Sequence, residues 1–193
     1  MTLDAVEIFH VSMRLRSPFQ TSFGIEHDRE CLILRVDSDG ESGWGECVAG
    51  EFPGYSYETA RTAWHVLEDF FIPALAAAPK ATPEGLRTAL AGFKGHPLAR
   101  AGLEMALWDL MGNQMNRSLR DLLGGQRETV KVGVSIGIQK DLATWLDQVE
   151  DYLAQGYQRI KIKIKPGTDI DIVAAVRERY PDIALQVDAN SAY

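Results

Sequence analysis

Hydrophobic and polar positions alternate strictly through Arg159-Ile-Lys-Ile-Lys-Ile-Lys-Pro166. That is the period of a β-strand, with Ile160, Ile162 and Ile164 on one face and Lys161, Lys163 and Lys165 on the other. A second apolar run, Ile183-Ala-Leu-Gln-Val187, ends in Asp188-Ala-Asn190. Helical patterns over 141–155 and 169–179 separate these segments, and Val130–Ile138 reads as a strand before them. The order β-α-β-α-β with short connections predicts parallel strands joined by right-handed crossovers. Three lysines on one strand face ordinarily mark a solvated edge. In a parallel βαβ unit the strands are covered on both faces, and lysines buried there without partners are strongly unfavourable. A functional site accounts for them.

Upstream the pattern is different. Residues 3–15 and 30–37 read as strands, Asp37-Ser-Asp-Gly-Glu41 as a turn cluster and Gly43-Trp-Gly-Glu-Cys-Val48 as a third strand, so 30–48 is expected to be a hairpin. The intervening Arg16–Arg29, with Pro18, Phe19, Phe23 and Gly24, is expected to be a long loop of the kind that serves as a lid or binding loop. Helices are expected over 56–72, ending before Pro73, over 83–93 and over 97–113. In the last, Ala101, Met105, Trp108 and Met111 form a stripe expected to face the core. Gly124-Gly125 marks the expected boundary between a domain over 1–125 and another over 126–193.

Composition narrows the function classes. The chain has 193 residues, 46% hydrophobic and 24% charged, as expected of an ordinary globular protein. A net charge of −7 argues against a nucleic-acid partner, whereas local lysines still suit an anionic small molecule. Cys31 and Cys47 are too few for a disulfide framework and too far apart for a zinc knuckle, and are expected as small buried hydrophobes on neighbouring strands. No basic, apolar leader pattern is visible, and no apolar run approaches the roughly 20 residues that span a bilayer, so the expectation is a cytoplasmic protein with no membrane partner.

In α/β folds functional groups collect at the carboxyl ends of the parallel strands. Here those ends present Ser135 and Gly137, then Lys163 and Lys165, then Asp188 and Asn190. Ser135 alone could satisfy backbone groups, Asp188 could cap a following helix, and Lys165 could lead the chain into solvent beside Pro166. Their coincidence at one edge favours a site. Mutual repulsion and partial burial of Lys161 and Lys163 are expected to lower their pKa values, the setting of a lysine general base. Asp188 is a hard oxygen ligand suited to Mg²⁺. A base beside a divalent cation fits proton abstraction next to a carboxylate.

Lys161-Ile-Lys163, Asp188-Ala-Asn190 and the α+β N-terminal region together resemble the muconate-lactonizing branch of the enolase superfamily. Within it, Thr21-Ser-Phe-Gly24, Gly43-Trp-Gly-Glu-Cys47, Phe93-Lys-Gly-His96, Leu103-Glu-Met-Ala106 and Gly133-Val-Ser-Ile-Gly137 look like o-succinylbenzoate synthases that often double as N-acylamino acid racemases. The resemblance implies an α+β capping domain followed by the first part of a (β/α)₇β TIM-type barrel, incomplete in this chain. It implies Lys163 as acid/base, Lys161 as its electrostatic neighbour, and Asp188 as the first of three carboxylate ligands to Mg²⁺ (or Mn²⁺). Ser135 and Asn190 would line the substrate site, and Phe19 and Phe23 would shape its apolar wall. The implied partner is a small-molecule carboxylate substrate, and the implied full-length protein is a homo-oligomer.

Three strands cannot close a barrel, so the chain is expected to be a piece of a longer protein, inactive alone. The implied activity is loss of water to form o-succinylbenzoate on the route to menaquinone. N-acylamino acid racemisation, dipeptide epimerisation or cycloisomerisation are the enzyme alternatives. A non-catalytic binding or assembly protein is the alternative of another class.

Overall fold

A computed structural model describes residues 2–193, which divide into two compact units. One holds residues up to Met13 together with Arg29–Gln126; the other holds Arg14–Asp28 together with Arg127–Tyr193.

Strands β1 (Ala5–Gln20), β2 (Ile25–Ser38) and β3 (Glu41–Cys47) form one sheet in the order β1-β2-β3; β3, β1 up to Met13 and β2 from Arg29 belong to the first unit, and the rest of β1 and β2 to the second. β2 and β3 pair antiparallel from Leu32↔Cys47 to Ser38↔Glu41. Asp39 and Gly40 alone cross the gap, both at positive φ (53° and 81°), as the tightest hairpin turns demand. The hairpin is where the turn cluster put it. Cys31 and Cys47 are buried free thiols on neighbouring strands, as expected.

Helices α1 (Ala60–Val66), α2 (Ile72–Ala76), α3 (Pro83–Ala89), α4 (Pro97–Met115) and the short α5 (Leu119–Leu122) complete this unit. The expected helix end at Pro73 is corrected. A π-turn over Leu67–Phe71 joins α1 to α2, with Ile72 N–H donating to Leu67 C=O. The wide turn lets the helix run on past a residue that brings no N–H. Across it the buried side of the helix passes to Phe71, while Phe70 is half-exposed.

Helix α4 meets strand β3 at backbone distance. A Cβ on Gly43 would lie 2.2 Å from Ala106 C=O, and one on Gly45 would lie 2.1 Å from Gly102 C=O. Only glycine permits that approach. The face of α4 that packs inward is therefore Ala99, Gly102, Leu103, Ala106, Leu107 and Leu110, all buried. This corrects the expected core stripe: Ala101 and Met105 are exposed, and Trp108 and Met111 are only partly buried. Where Gly43 and Gly45 approach, α4 presents the small residues Gly102 and Ala106, and the leucines of the same face pack to either side. His96 gives α4 no side-chain cap, and the buried carboxylate of Glu58 takes that role, accepting from Leu98 N–H (2.7 Å) and Ala99 N–H (3.0 Å).

The second unit contains strands β4 (Gly133–Ile136), β5 (Arg159–Lys163) and β6 (Ala184–Asp188), with helices α6 (Leu142–Ala154) and α7 (Asp169–Arg179) between them. The strands are parallel in the order β4-β5-β6, with Ser135↔Lys161↔Gln186 in one row and Lys163↔Asp188 at the next on that face. The other face carries Ile136, Ile160, Ile162 and Ile164, which pack with Trp145 and Val149 of α6 and Val176 of α7. At about 1.5–3 kcal/mol for each large apolar side chain removed from water, this packing fixes which face of β5 turns to the helices. The lysines are left on the opposite face. This is the α+β unit followed by the first part of a barrel that the sequence implied.

The expected loop at Arg16–Arg29 is corrected. β1 continues to Gln20 and β2 begins at Ile25, so the segment is a two-stranded ribbon that turns at Thr21–Gly24, closed by Thr21 N–H to Gly24 C=O at 2.9 Å. The end opposite the turn carries an ion pair between Arg14 and Asp28 at 3.0 Å. The ribbon's apolar residues do not alternate regularly with polar ones, and that alternation is what makes a strand visible in sequence. Among the described residues no helix is long and apolar enough to cross a membrane.

Candidate active site

The carboxyl ends of β5 and β6 bring Lys161, Lys163, Asp188 and Asn190 together. The parallel register sets Lys163 directly opposite Asp188. Lys163 Nζ donates to Asp188 Oδ2 at 2.8 Å and to Asn190 Oδ1 at 2.8 Å. Lys161 Nζ donates to the same Asp188 oxygen at 3.0 Å. Asp188 Oδ1 accepts Asn190 N–H at 3.0 Å, and Ile164 N–H reaches Asp188 C=O at 3.0 Å. Lys163 is only 6% exposed, whereas the Lys161 side chain is 31% exposed, so the two lysines are not equivalent. Lys163 is the buried one. It has three N–H donors as an ammonium, and two are engaged here.

The Asp188 carboxyl is held well below the ordinary carboxylate range. The hydrogen bond from Lys163 is the main cause; burial opposes it, and Lys161 and the Asn190 N–H reinforce it. The centre is thus one fixed negative charge shared by two lysines, with an amide oxygen on the more buried one.

Ser135 lies in the row of Lys161 and is exposed, on the lysine face, with no hydrogen bond of its side chain to either lysine. Gln186 occupies the matching place on β6 and was not picked out in the sequence, where it is one polar residue in an apolar run. Phe19 is partly buried beside Gly137: a Cβ on that glycine would lie 3.2 Å from the Phe19 ring and from Gln20 backbone atoms. Phe23, at the ribbon tip, is 43% exposed. Two hydrogen bonds tie the tip to the strand ends: Ile138 N–H to Gln20 C=O at 2.9 Å, and Ser22 Oγ–H to Ala189 C=O at 2.8 Å. The sequence offered no signal for Ser22, since its partner lies 167 residues away.

The donor set does not by itself fit Mg²⁺. That ion takes about six oxygen ligands in near-octahedral geometry. Asp188 is the carboxylate at these strand ends, and both its oxygens already accept hydrogen bonds. Among the described residues no group of three or more His, Cys, Asp or Glu side chains is placed to hold a metal ion.

The mandelate racemase / muconate lactonizing enzyme N-terminal domain matches residues 4–124, and the enolase C-terminal domain-like family matches residues 144–193. The chain belongs to the mandelate racemase / muconate lactonizing enzyme family of the enolase superfamily. It is 45% identical over 194 aligned residues to the o-succinylbenzoate synthase of Geobacillus stearothermophilus, covering 100% of this chain and 52% of that protein. It is 47% identical over 194 aligned residues to an N-succinylamino acid racemase of Amycolatopsis sp, covering 100% and 53%. The crystal structure of an enolase-superfamily member from Listeria innocua superposes with a TM-score of 0.90 at 36% identity, covering 97% of this chain and 51% of that one. The chain thus spans about half the length of the curated relatives that it matches.

Proposed function

We propose that this chain is the N-terminal half of an enzyme that moves a proton on the carbon next to a substrate carboxylate, and that the complete enzyme is an o-succinylbenzoate synthase. The observation that carries the reading is the buried Lys163, its Nζ fixed at 2.8 Å from both Asp188 Oδ2 and Asn190 Oδ1 at the strand ends. The arrangement as it stands is that of a protonated lysine paired to a carboxylate. To act as a base, Lys163 gives one proton to solvent and turns its lone pair to the substrate carbon. The C–H electron pair then passes into the carboxylate as an enolate. The resulting ammonium delivers the same proton to the hydroxyl leaving from that face, the C–O bond breaks, and water departs. Lys161 keeps a positive charge beside the developing anion. Asn190 and Ser135 contact the substrate, and Phe19 and Phe23 exclude water on its apolar side.

Racemisation of N-succinylamino acids is a second reading, favoured by a specific finding: relatives of that name are as similar to this chain as those named synthases. Both reactions begin with the same proton transfer at Lys163. A divalent cation, Mg²⁺ or Mn²⁺, supplies charge to an enolate in such chemistry. Asp188 would be this chain's one ligand to it, with the others outside residues 1–193. The complete protein would act on a small carboxylate and assemble as a homo-oligomer.

The test is to offer the complete protein the hydroxy-acid precursor of o-succinylbenzoate and, separately, single enantiomers of N-succinylamino acids. Formation of o-succinylbenzoate supports the leading reading, and loss of optical activity supports the second. Neither product, from a folded protein in Mg²⁺ or Mn²⁺, contradicts both.

A further inference from the structure

The turn that follows β6 is strained. Asn190 and Ser191 sit consecutively at φ 49° and 61°, left-handed conformations that side-chain-bearing residues rarely adopt in sequence. Such a turn persists only where its surroundings over-determine it. Three bonds do so here. Asn190 N–H reaches back to Asp188 Oδ1 at 3.0 Å, Ala192 N–H donates to Ala189 C=O at 3.1 Å, and Ser22 Oγ–H donates to that same carbonyl at 2.8 Å. The first two are local to the turn. The third comes from the ribbon tip, which is independently anchored to the end of β4 through Gln20 and Ile138. The Ala189 carbonyl belongs to the peptide that links Ala189 to Asn190, whose amide oxygen holds Lys163.

We propose that Ser22 is a positioning residue for Lys163. By holding the Ala189 carbonyl from the ribbon, it fixes the peptide between Ala189 and Asn190. That keeps the Asn190 amide oxygen on the lysine Nζ, so the ribbon sets the aim of the acid/base group as well as contributing Phe19 and Phe23. Ser22 touches neither lysine and acts only through the turn. The inference rests on the reading of Lys163 as the acid/base.

The experiment compares wild type, Ser22→Ala, Ser22→Thr, Asn190→Ala and the double variant in the complete protein. Two readouts are taken: turnover, as o-succinylbenzoate formed or as deuterium incorporated at the α-carbon of an N-succinylamino acid, and amide hydrogen exchange at Asn190 without substrate. Loss of one neutral hydrogen bond acting on the transition state is expected to lower kcat about three- to tenfold while KM moves less than about twofold. Ser22→Thr, which keeps the hydroxyl, restores the rate. In the Asn190→Ala background Ser22→Ala costs nothing further, because the chain of contacts is already cut. The Asn190 amide exchanges faster in Ser22→Ala. A wild-type kcat in Ser22→Ala, an additive loss in the double variant, or unchanged Asn190 protection overturns the proposal. Absence of both o-succinylbenzoate formation and deuterium incorporation by wild type would instead sink the proposed reaction, and amide exchange would then decide whether Ser22 holds the turn.

Discussion

At the scale of single residues, burial and pairing separate side chains that look alike in sequence. Lys161, Lys163 and Lys165 are indistinguishable by period, yet only Lys163 is buried and bonded to both Asp188 and Asn190. Asp188 gives a pH dependence whose sign follows from its depressed folded-state pKa. Its contribution to stability is fully present above the unfolded carboxylate value, near 4, and is lost as pH falls through the lower folded value. The stability difference between wild type and Asp188→Asn, measured by urea unfolding, is therefore expected to be steady from about pH 5 to 7 and to shrink below about 4. A difference that grows on acidification would contradict the pairing. The thiols make the opposite case. Burial is the main reason that Cys47 is pushed up to about 11, and it raises Cys31 as well. Neither should react with a thiol reagent at pH 8 in the native protein, and both should react once it is unfolded. Rapid labelling of the folded chain would show that the β2–β3 core is open.

At the scale of elements, what was legible is what periodicity encodes. The strands and helices of the second unit, their parallel order and the facing of Lys163 toward Asp188 follow from alternation and spacing. Three features do not. The ribbon over 14–28 lacks a sustained alternation of apolar and polar residues, so only its strand pairing identifies it. The π-turn at Leu67–Phe71 carries a helix past Pro73, where propensity would stop it. In α4 the stripe of Ala101, Met105, Trp108 and Met111 is not the buried face, because Gly43 and Gly45 bring the backbone of β3 against Gly102 and Ala106. That last arrangement is testable. Gly45→Ala places a methyl group 2.1 Å from Gly102 C=O, against backbone that cannot step aside. A loss of about 3 kcal/mol or more is expected, the upper range for overpacking, read as a lowered thermal midpoint of the first unit. Ala101→Ser, on the exposed side of the same helix, is expected to change stability by less than about 0.5 kcal/mol. Equal effects would mean that α4 is rotated about its axis.

At the scale of the whole molecule, the three parallel strands carry the lysine pair on Asp188 but, among the described residues, no cluster of carboxylates, histidines or cysteines placed to hold a metal ion. With one carboxylate at these strand ends, residues 1–193 expressed alone are expected to bind Mg²⁺ weakly, to expose apolar surface at the edges of β4 and β6, and to show no turnover. Tight metal binding by titration calorimetry, or catalysis by the isolated chain, would overturn that division of labour. The central claim, that Lys163 moves a proton at the α-carbon, is tested most directly in the complete protein by deuterium incorporation from D₂O into an N-succinylamino acid. Wild type should incorporate deuterium at that carbon. Lys163→Ala should be at least about 10³-fold slower while keeping the wild-type circular dichroism and thermal midpoint within a few degrees. A folded Lys163→Ala variant that exchanges the α-proton at the wild-type rate would remove Lys163 from the chemistry and the proposed function with it.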